Sequence, residues 1–139
     1  MIPVEFIKLE KPEKARHCCL LAEEFFSRGK RVLIVVKDEE QGKVLDQFIW
    51  TWRKTSFIPH AFLHGEEDET VEPILISTGK NRDFGASVLI MAEPCPLEFI
   101  RRFEQACDFA ELYDRTLHEE SRKRFILYRE NGFEPHMRQ

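Results

Sequence analysis

The stretch around residues 32–36 determines the first prediction, because it is an unbroken apolar run rich in β-branched residues. Such a run is typical of a strand that is buried on both faces in the middle of a parallel sheet. Gly29 precedes it and fits the C-terminal end of a helix. Asp38 follows it and fits a helix N-cap, with Gln41 three residues later completing a pattern like a capping box. The stretch is therefore predicted to be the middle of a βαβ unit.

The other apolar patterns predict further elements on both sides of this unit. Four more strands are expected at residues 4–9, 73–77, 87–91 and 105–110. Helical spacing predicts helices after Pro12, after Asp38, near residues 97–103 and over residues 115–131, the last between Asp114 and Gly132. The alternation predicts the α/β class, with an open, largely parallel sheet flanked by helices in one domain over residues 1–139.

Three connections are predicted on weaker patterns. Residues 73–77 and 87–91 leave no room for a helix between them, so a direct, hairpin-like pairing is expected. Residues 56–62 form an apolar segment stiffened by Pro59, which we interpret as a loop. Residues 65–69 with Glu72 are mostly acidic and are expected to be a solvated loop.

Composition narrows the class of protein. A chain of 139 residues with 42% apolar content suits one compact domain. No apolar run approaches the roughly 20 residues of a membrane span, and the N-terminus lacks the basic start and apolar core of a signal peptide. A cytoplasmic protein without membrane association is expected. The four cysteines (Cys18, Cys19, Cys95 and Cys107) show no CxxC spacing, so neither disulfides nor a metal site are predicted.

Charge is distributed unevenly along the chain. The formal net charge is −4, yet basic residues cluster near the C-terminus between Arg122 and Arg129. A basic face on an acidic protein indicates a small anionic partner, and no direct DNA binding is expected.

Motifs for catalysis or cofactor binding are missing from the sequence. There is no GxGxxG, GxSxG or HExxH pattern. Residues 77–80 resemble the end of a phosphate loop, but the earlier glycine and the following serine or threonine are absent. Asp38 after a buried strand could be a phosphoacceptor, although a helix N-cap explains it more simply. The sequence therefore favours a binding module without catalytic residues or cofactors, while a small α/β nucleotide-binding or phosphoryl-transfer protein stays open as the alternative.

Three segments together resemble a known family. They are GKRVLI at 29–34 leading into LDQFIW at 45–50, then SFIPH at 56–60, then RFILYR at 124–129 with Gly132 and Phe133. In this order and spacing they resemble the chi subunit of bacterial DNA polymerase III holoenzyme, over nearly the whole chain.

The resemblance implies a non-enzymatic adaptor with a Rossmann-like fold and no nucleotide site. Members of the family bind the psi subunit of the clamp-loader complex on one surface. On another surface they bind the acidic C-terminal tail of single-stranded-DNA-binding protein, which links the polymerase to coated single strands. In some bacteria the first surface also meets a repair helicase.

The psi surface implied by the resemblance uses an aromatic pair. The matching residues are Trp50 and Phe57, with Pro59 and His60 fixing the loop. The apolar pattern agrees with an interface role for this pair. Trp50 falls outside the apolar stripe of its predicted helix, and rigid aromatic side chains are good interface anchors. The alternative, that Phe57 only covers the sheet edge, stays open.

The tail-binding surface implied by the resemblance lies along the last helix. The matching residues are Arg122, Arg124, Phe125, Tyr128 and Arg129, with Phe109 and Ala110 as pocket wall. One departure from the family concerns Ile126, which stands where members often carry a lysine. Either Lys123, Arg124 or Arg129 replaces that charge, or tail binding is weakened or absent. A merely solvated basic helix face is the remaining alternative.

Overall fold

Parallel strands form a single sheet in the computed structural model, which describes residues 1–52, 57–64 and 70–138. Within these ranges the strands are β1 Ile2–Leu9, β2 Val32–Val35, β3 His60–Phe62, β4 Ile74–Ser77, β5 Val88–Met91, β6 Gln105–Glu111 and β7 Phe133–Met137. The helices are α1 Lys14–Ser27, α2 Glu39–Trp50, α3 Leu97–Ile100 and α4 Arg115–Glu130. The strand order is β3-β4-β2-β5-β6-β1-β7, which confirms the predicted α/β class.

The sheet has an apolar core on each face. Helices α1 and α2 cover one face, where Ile34, Ile76 and Phe109 are buried. Helices α3 and α4 cover the other, where Leu33 and Tyr128 are buried. All four residues of β2 are buried, as predicted for a central parallel strand.

The predicted C-terminal end of α1 and the predicted start of α2 are confirmed. Gly29 has a φ of 71°, and the Gly29 and Lys30 amides donate to the Phe26 and Phe25 carbonyls, which is a Schellman C-cap. Asp38 Oδ1 accepts the Gln41 amide at 2.8 Å. Within α1, Leu21 is buried, whereas Phe26 is exposed.

The predicted pairing of β4 with β5 is wrong. Both strands run parallel to β2 and lie on its opposite sides, with Ile74 and Val88 both next to Val32. A helix is not needed for this crossover. The ten residues between Ser77 and Val88 can reach about 33 Å, whereas a four-residue strand is about 13 Å long.

Two edge strands were missed. Residues 60–62 belong to β3, which pairs with β4, so the predicted loop at 56–62 is wrong there. Strand β7 follows Gly132 and pairs with β1, although Pro135 lies within it, because an outer strand tolerates a residue without an amide hydrogen. Helix α2 ends at Trp50, and the acidic residues 65–69 lie outside the described residues.

Candidate functional site

A cavity of about 300 Å³ opens between α4 and the strands beneath it. We call it the α4 cavity. It is lined by Phe6, Ala110, Ser121, Arg122, Phe125, Ile126, Arg129 and Met137. Three of the five residues predicted for tail binding, Arg122, Phe125 and Arg129, therefore meet at one opening.

The helix geometry explains this convergence. Asp114 caps α4 by accepting the Leu117 amide at 3.0 Å, which fixes where the helix begins. Arg122, Phe125 and Arg129 follow at intervals of three and four residues, so they share a face. The Phe125 ring packs at 5.3 Å from the Phe6 ring of β1, whereas both arginines are exposed at the rim. The cavity thus combines an apolar interior with two cationic groups at its edge.

Arg124 and Tyr128 point away from this opening, into the protein. Arg124 donates from Nε and Nη2 to the two carboxylate oxygens of Asp108, at 2.9 and 3.0 Å. Tyr128 donates its hydroxyl to Asp108 Oδ2 at 2.7 Å. Arg124 has 17% of its side chain exposed and Asp108 only 1%, so this is a buried ion pair.

Burial and the nearby carboxylate shift the pKa values of Arg124 and Tyr128. Burial by itself would lower the pKa of Arg124, but the adjacent Asp108 carboxylate outweighs that effect and raises it. Burial, followed by the same carboxylate, raises the pKa of the Tyr128 hydroxyl. Tyr128 is therefore a neutral donor and Arg124 a permanent cation near neutral pH.

One of the two residues predicted to form the pocket wall lines the α4 cavity. Ala110 lines the α4 cavity, but Phe109 belongs to the core on the opposite face of the sheet. Successive residues of a strand point to opposite faces, so only one of two neighbours can contribute to the cavity.

A pair of exposed aromatic rings lies at the other end of the sheet. Trp50, the last residue of α2, is 56% exposed, and Phe57 is 64% exposed. Their ring centroids are 5.7 Å apart, so the two side chains form one apolar patch, which we call the aromatic patch. Phe57 does not simply cover the sheet edge, because most of its surface faces solvent.

His60 lies behind this patch, and Pro59 precedes it in the chain. The His60 ring is 4.8 Å from the Trp50 ring. Its Nδ1 lies 2.8 Å from the Ile58 carbonyl, and its Nε2 lies 3.0 Å from Asp46 Oδ1, without the alignment of a hydrogen bond. The Pro59 carbonyl accepts the Ile74 amide at 3.3 Å, which ties the segment to β4. His60 therefore supports the Trp50 ring, and Pro59 holds the segment beside β4.

The described part of the chain offers little for metal or nucleophile chemistry. No cluster of three or more His, Cys, Asp or Glu residues in it could hold a metal ion. Burial raises the pKa of the Cys18, Cys19 and Cys95 thiols to about 12, which keeps them protonated. Asp38 is occupied as a helix cap. No helix in the described ranges is long and apolar enough to cross a bilayer.

Sequence reasoning missed residues from distant strands. Phe6 and Met137 line the α4 cavity, but their apolar character does not distinguish them from core residues. Asp108 could have been recognised from the sequence, because it is an acidic residue with apolar neighbours on both sides in β6. A charge in such a position is buried and therefore needs a partner.

Comparison with known proteins gives consistent matches. Residues 1–136 match the family described as DNA polymerase III chi subunit, HolC. The chain is 34% identical over 116 residues to the DNA polymerase III subunit chi of Escherichia coli K12, covering 83% of this chain and 78% of that protein. It is 32% identical over 116 residues to the subunit chi of Haemophilus influenzae, covering 83% and 79%. The subunit chi of Pseudomonas aeruginosa is 26% identical over 115 residues, covering 83% and 78%.

Proposed function

This chain belongs to the DNA polymerase III chi subunit family, and from that premise we propose that it is a non-catalytic accessory subunit of the holoenzyme. In this proposal it links the psi subunit of the clamp-loader complex to the C-terminal tail of single-stranded-DNA-binding protein during replication. The observation that carries the proposal is the α4 cavity, which joins an apolar interior to two exposed arginines on a chain of net charge −4.

The α4 cavity suits a short peptide that ends in an aromatic residue and carries acidic side chains. Burying one phenylalanine contributes about 1.5–3 kcal/mol. Charge-assisted hydrogen bonds from Arg122 and Arg129 add roughly 1.5–3 kcal/mol each. Association costs at least about 4 kcal/mol. The balance is a weak, salt-sensitive contact, which is strengthened when several tails belong to one oligomeric partner.

The departure at Ile126 is compatible with this site. Ile126 lines the α4 cavity and enlarges its apolar surface. Arg124 is paired with Asp108, so Arg129 is the residue that compensates for the missing lysine in our proposal. Lys123 is exposed but does not line the cavity.

Calorimetric titration with a peptide ending in Asp-Ile-Pro-Phe tests the tail-binding role at low and moderate salt. We expect micromolar-range binding that weakens with salt and is lost in the double variant Arg122→Ala/Arg129→Ala. Lys123→Ala is the matched control, because it removes a neighbouring exposed charge outside the cavity. Equal binding by the double variant and the control would contradict the proposal.

The aromatic patch is the proposed psi-binding surface. Rigid aromatic side chains lose little conformational entropy on binding and bury a large area, which is typical of interface hot spots. Trp50 and Phe57 are the anchors. His60 supports the Trp50 ring, and Pro59 holds the segment beside β4. The family resemblance implies that a repair helicase is a second partner for this surface.

Loss of psi binding in single variants tests this surface. Trp50→Ala and Phe57→Ala should each weaken psi binding by about 2 kcal/mol or more without unfolding the chain. Val44→Ala is the matched control, since Val44 lies on the same helix and is also 56% exposed. If both aromatic variants bind psi as tightly as the control does, psi binds elsewhere.

A further inference from the structure

Asp108 is a buried acidic side chain in the middle of β6, with 1% of its surface exposed. Its carboxylate accepts four hydrogen bonds. Two come from Arg124 at 2.9 and 3.0 Å, one from the Tyr128 hydroxyl at 2.7 Å, and one from the Phe109 amide at 2.7 Å. Arg124 also donates to the Phe109 carbonyl at 3.2 Å. Both carboxylate oxygens are therefore fully used inside the protein.

This network attaches α4 to the sheet at two points one helical turn apart. Arg124 and Tyr128 are separated by four residues, so both reach Asp108 from the inner side of the helix. The rings of Phe125 and Tyr128 lie 5.3 and 5.8 Å from the Phe6 ring. Phe6 therefore contacts one residue of the cavity and one residue of the network, and the two are mechanically connected.

We propose that Asp108, Arg124 and Tyr128 are positioning residues for the α4 cavity. They hold α4 at the height and rotation at which Arg122, Phe125 and Arg129 meet a ligand, and none of the three contacts that ligand. The negative charges of an acidic peptide are met by Arg122 and Arg129. This inference rests on the tail-binding role proposed above and changes the role of two residues that the family resemblance assigns to direct binding.

The charge of Arg124 is the decisive point of this inference. A guanidinium that forks onto a buried carboxylate directs its Nε and Nη2 donors and most of its charge to that partner. Only charges that approach the ligand contribute to the salt dependence of binding. A positioning arginine therefore affects affinity without affecting the slope of log affinity against log salt, whereas a contacting arginine affects both.

Peptide titration over a series of salt concentrations distinguishes the two roles. Arg124→Met should weaken binding of the Asp-Ile-Pro-Phe peptide by about fivefold or more at every salt concentration and leave the slope unchanged. Arg122→Ala should weaken binding and make the slope of log affinity against log salt shallower by about one, as expected when one charge contact is lost. Lys123→Ala should leave both close to the values of the unmodified chain. A shallower slope in Arg124→Met, or unchanged affinity in that folded variant, overturns the inference.

An NMR measurement on the unmodified chain decides the question even if Arg124→Met does not fold. The side-chain Nε–H signal of Arg124 should be protected from exchange in the free chain and should hardly shift when the peptide saturates it, whereas the Arg122 signal should shift. A large peptide-induced shift of the Arg124 signal, or peptide contacts to the Tyr128 ring, overturns the inference. Absence of any peptide binding to the unmodified chain refutes the tail-binding role itself, which is a separate result.

Discussion

A buried charge pair, that of Asp108 and Arg124, joins α4 to β6. Removing one member of such a pair is costly, because the other is left as an unpaired charge in the interior. Replacing both members with apolar residues of similar size removes this penalty. The contribution of the pair is therefore to fix one arrangement of α4, and its contribution to net stability is small.

This reasoning predicts opposite results for single and double substitutions. Asp108→Ala should lower the free energy of unfolding by about 3–5 kcal/mol, measured by urea denaturation. Asp108→Leu/Arg124→Met should recover most of that loss. Glu98→Ala, on the exposed side of α3, serves as the control and should change stability by less than about 0.5 kcal/mol. A loss in the double variant equal to the sum of the losses in Asp108→Leu and in Arg124→Met would show that the pair is not electrostatically coupled.

At the scale of elements, the sequence predicted best where local signals agree. Gly29 ends α1 through its backbone conformation, and Asp38 begins α2 by capping it. Each of these signals depends on only a few neighbouring residues. Strands β3 and β7 carry weak local signals, because β3 has only three residues and β7 contains Pro135. Their pairing depends on partners that are distant along the chain.

The same distinction explains how much of the candidate site was predictable. The spacing of Arg122, Phe125 and Arg129 indicates a shared helix face, and these three residues do line the cavity. The spacing does not indicate which other α4 residues point inwards, since that depends on Asp108 in a different strand. Met137 was missed for the same reason, because β7 was not predicted.

The start of α4 provides a test at this scale. Asp114→Ala should lower the free energy of unfolding by about 1 kcal/mol, because it removes the acceptor for the Leu117 amide. Asp114→Asn should lose much less, since an asparagine side chain caps equally well. Thermal and urea unfolding of both variants measure the difference. Equal losses would attribute the effect to the negative charge near the helix N-terminus and not to the hydrogen bond.

For the whole molecule, the buried thiols predict a loss of stability in alkaline solution. Burial raises the pKa of Cys18, Cys19 and Cys95 from an ordinary value of 9.0 to about 12 in the folded chain. Between these values the unfolded chain releases thiol protons that the folded chain retains. The contribution of these thiols to stability is therefore fully present below pH 9. Above pH 9 the free energy of unfolding falls, by up to about 1.4 kcal/mol per pH unit for each thiol.

Urea unfolding at pH 8, 9 and 10 measures this slope. In the variant Cys95→Ala the free energy of unfolding should fall less steeply with pH, by the amount that one thiol contributes. For each protein the free energy of unfolding is compared with its own value at pH 8. The constant loss caused by the cavity in the variant therefore does not affect the slope. An unchanged slope in this variant would show that Cys95 does not titrate during unfolding.

The strand order separates the two proposed surfaces. The aromatic patch adjoins β3 at one edge of the sheet, whereas the α4 cavity lies over β6, β1 and β7 at the other. From β3 to β1 there are five strand spacings, or about 24 Å. No described residue lines both surfaces. The proposed ligands of these two surfaces therefore do not compete for the same described residues, as the proposed adaptor role requires.

Independent binding at the two surfaces is the last prediction. The tail peptide should bind the free chain and the chain saturated with psi with affinities that agree within about twofold, because the two surfaces lie at opposite edges of the sheet and share no described residue. Each surface should also be unaffected by a variant of the other. Arg122→Ala should leave psi binding unchanged, and Trp50→Ala should leave peptide binding unchanged. Calorimetry in both orders of addition measures the coupling directly. A difference of fivefold or more corresponds to about 1 kcal/mol of coupling free energy, and by reciprocity it would appear in both orders. Such a result would mean that the sheet transmits a change between its edges and that the two partners bind in a regulated sequence.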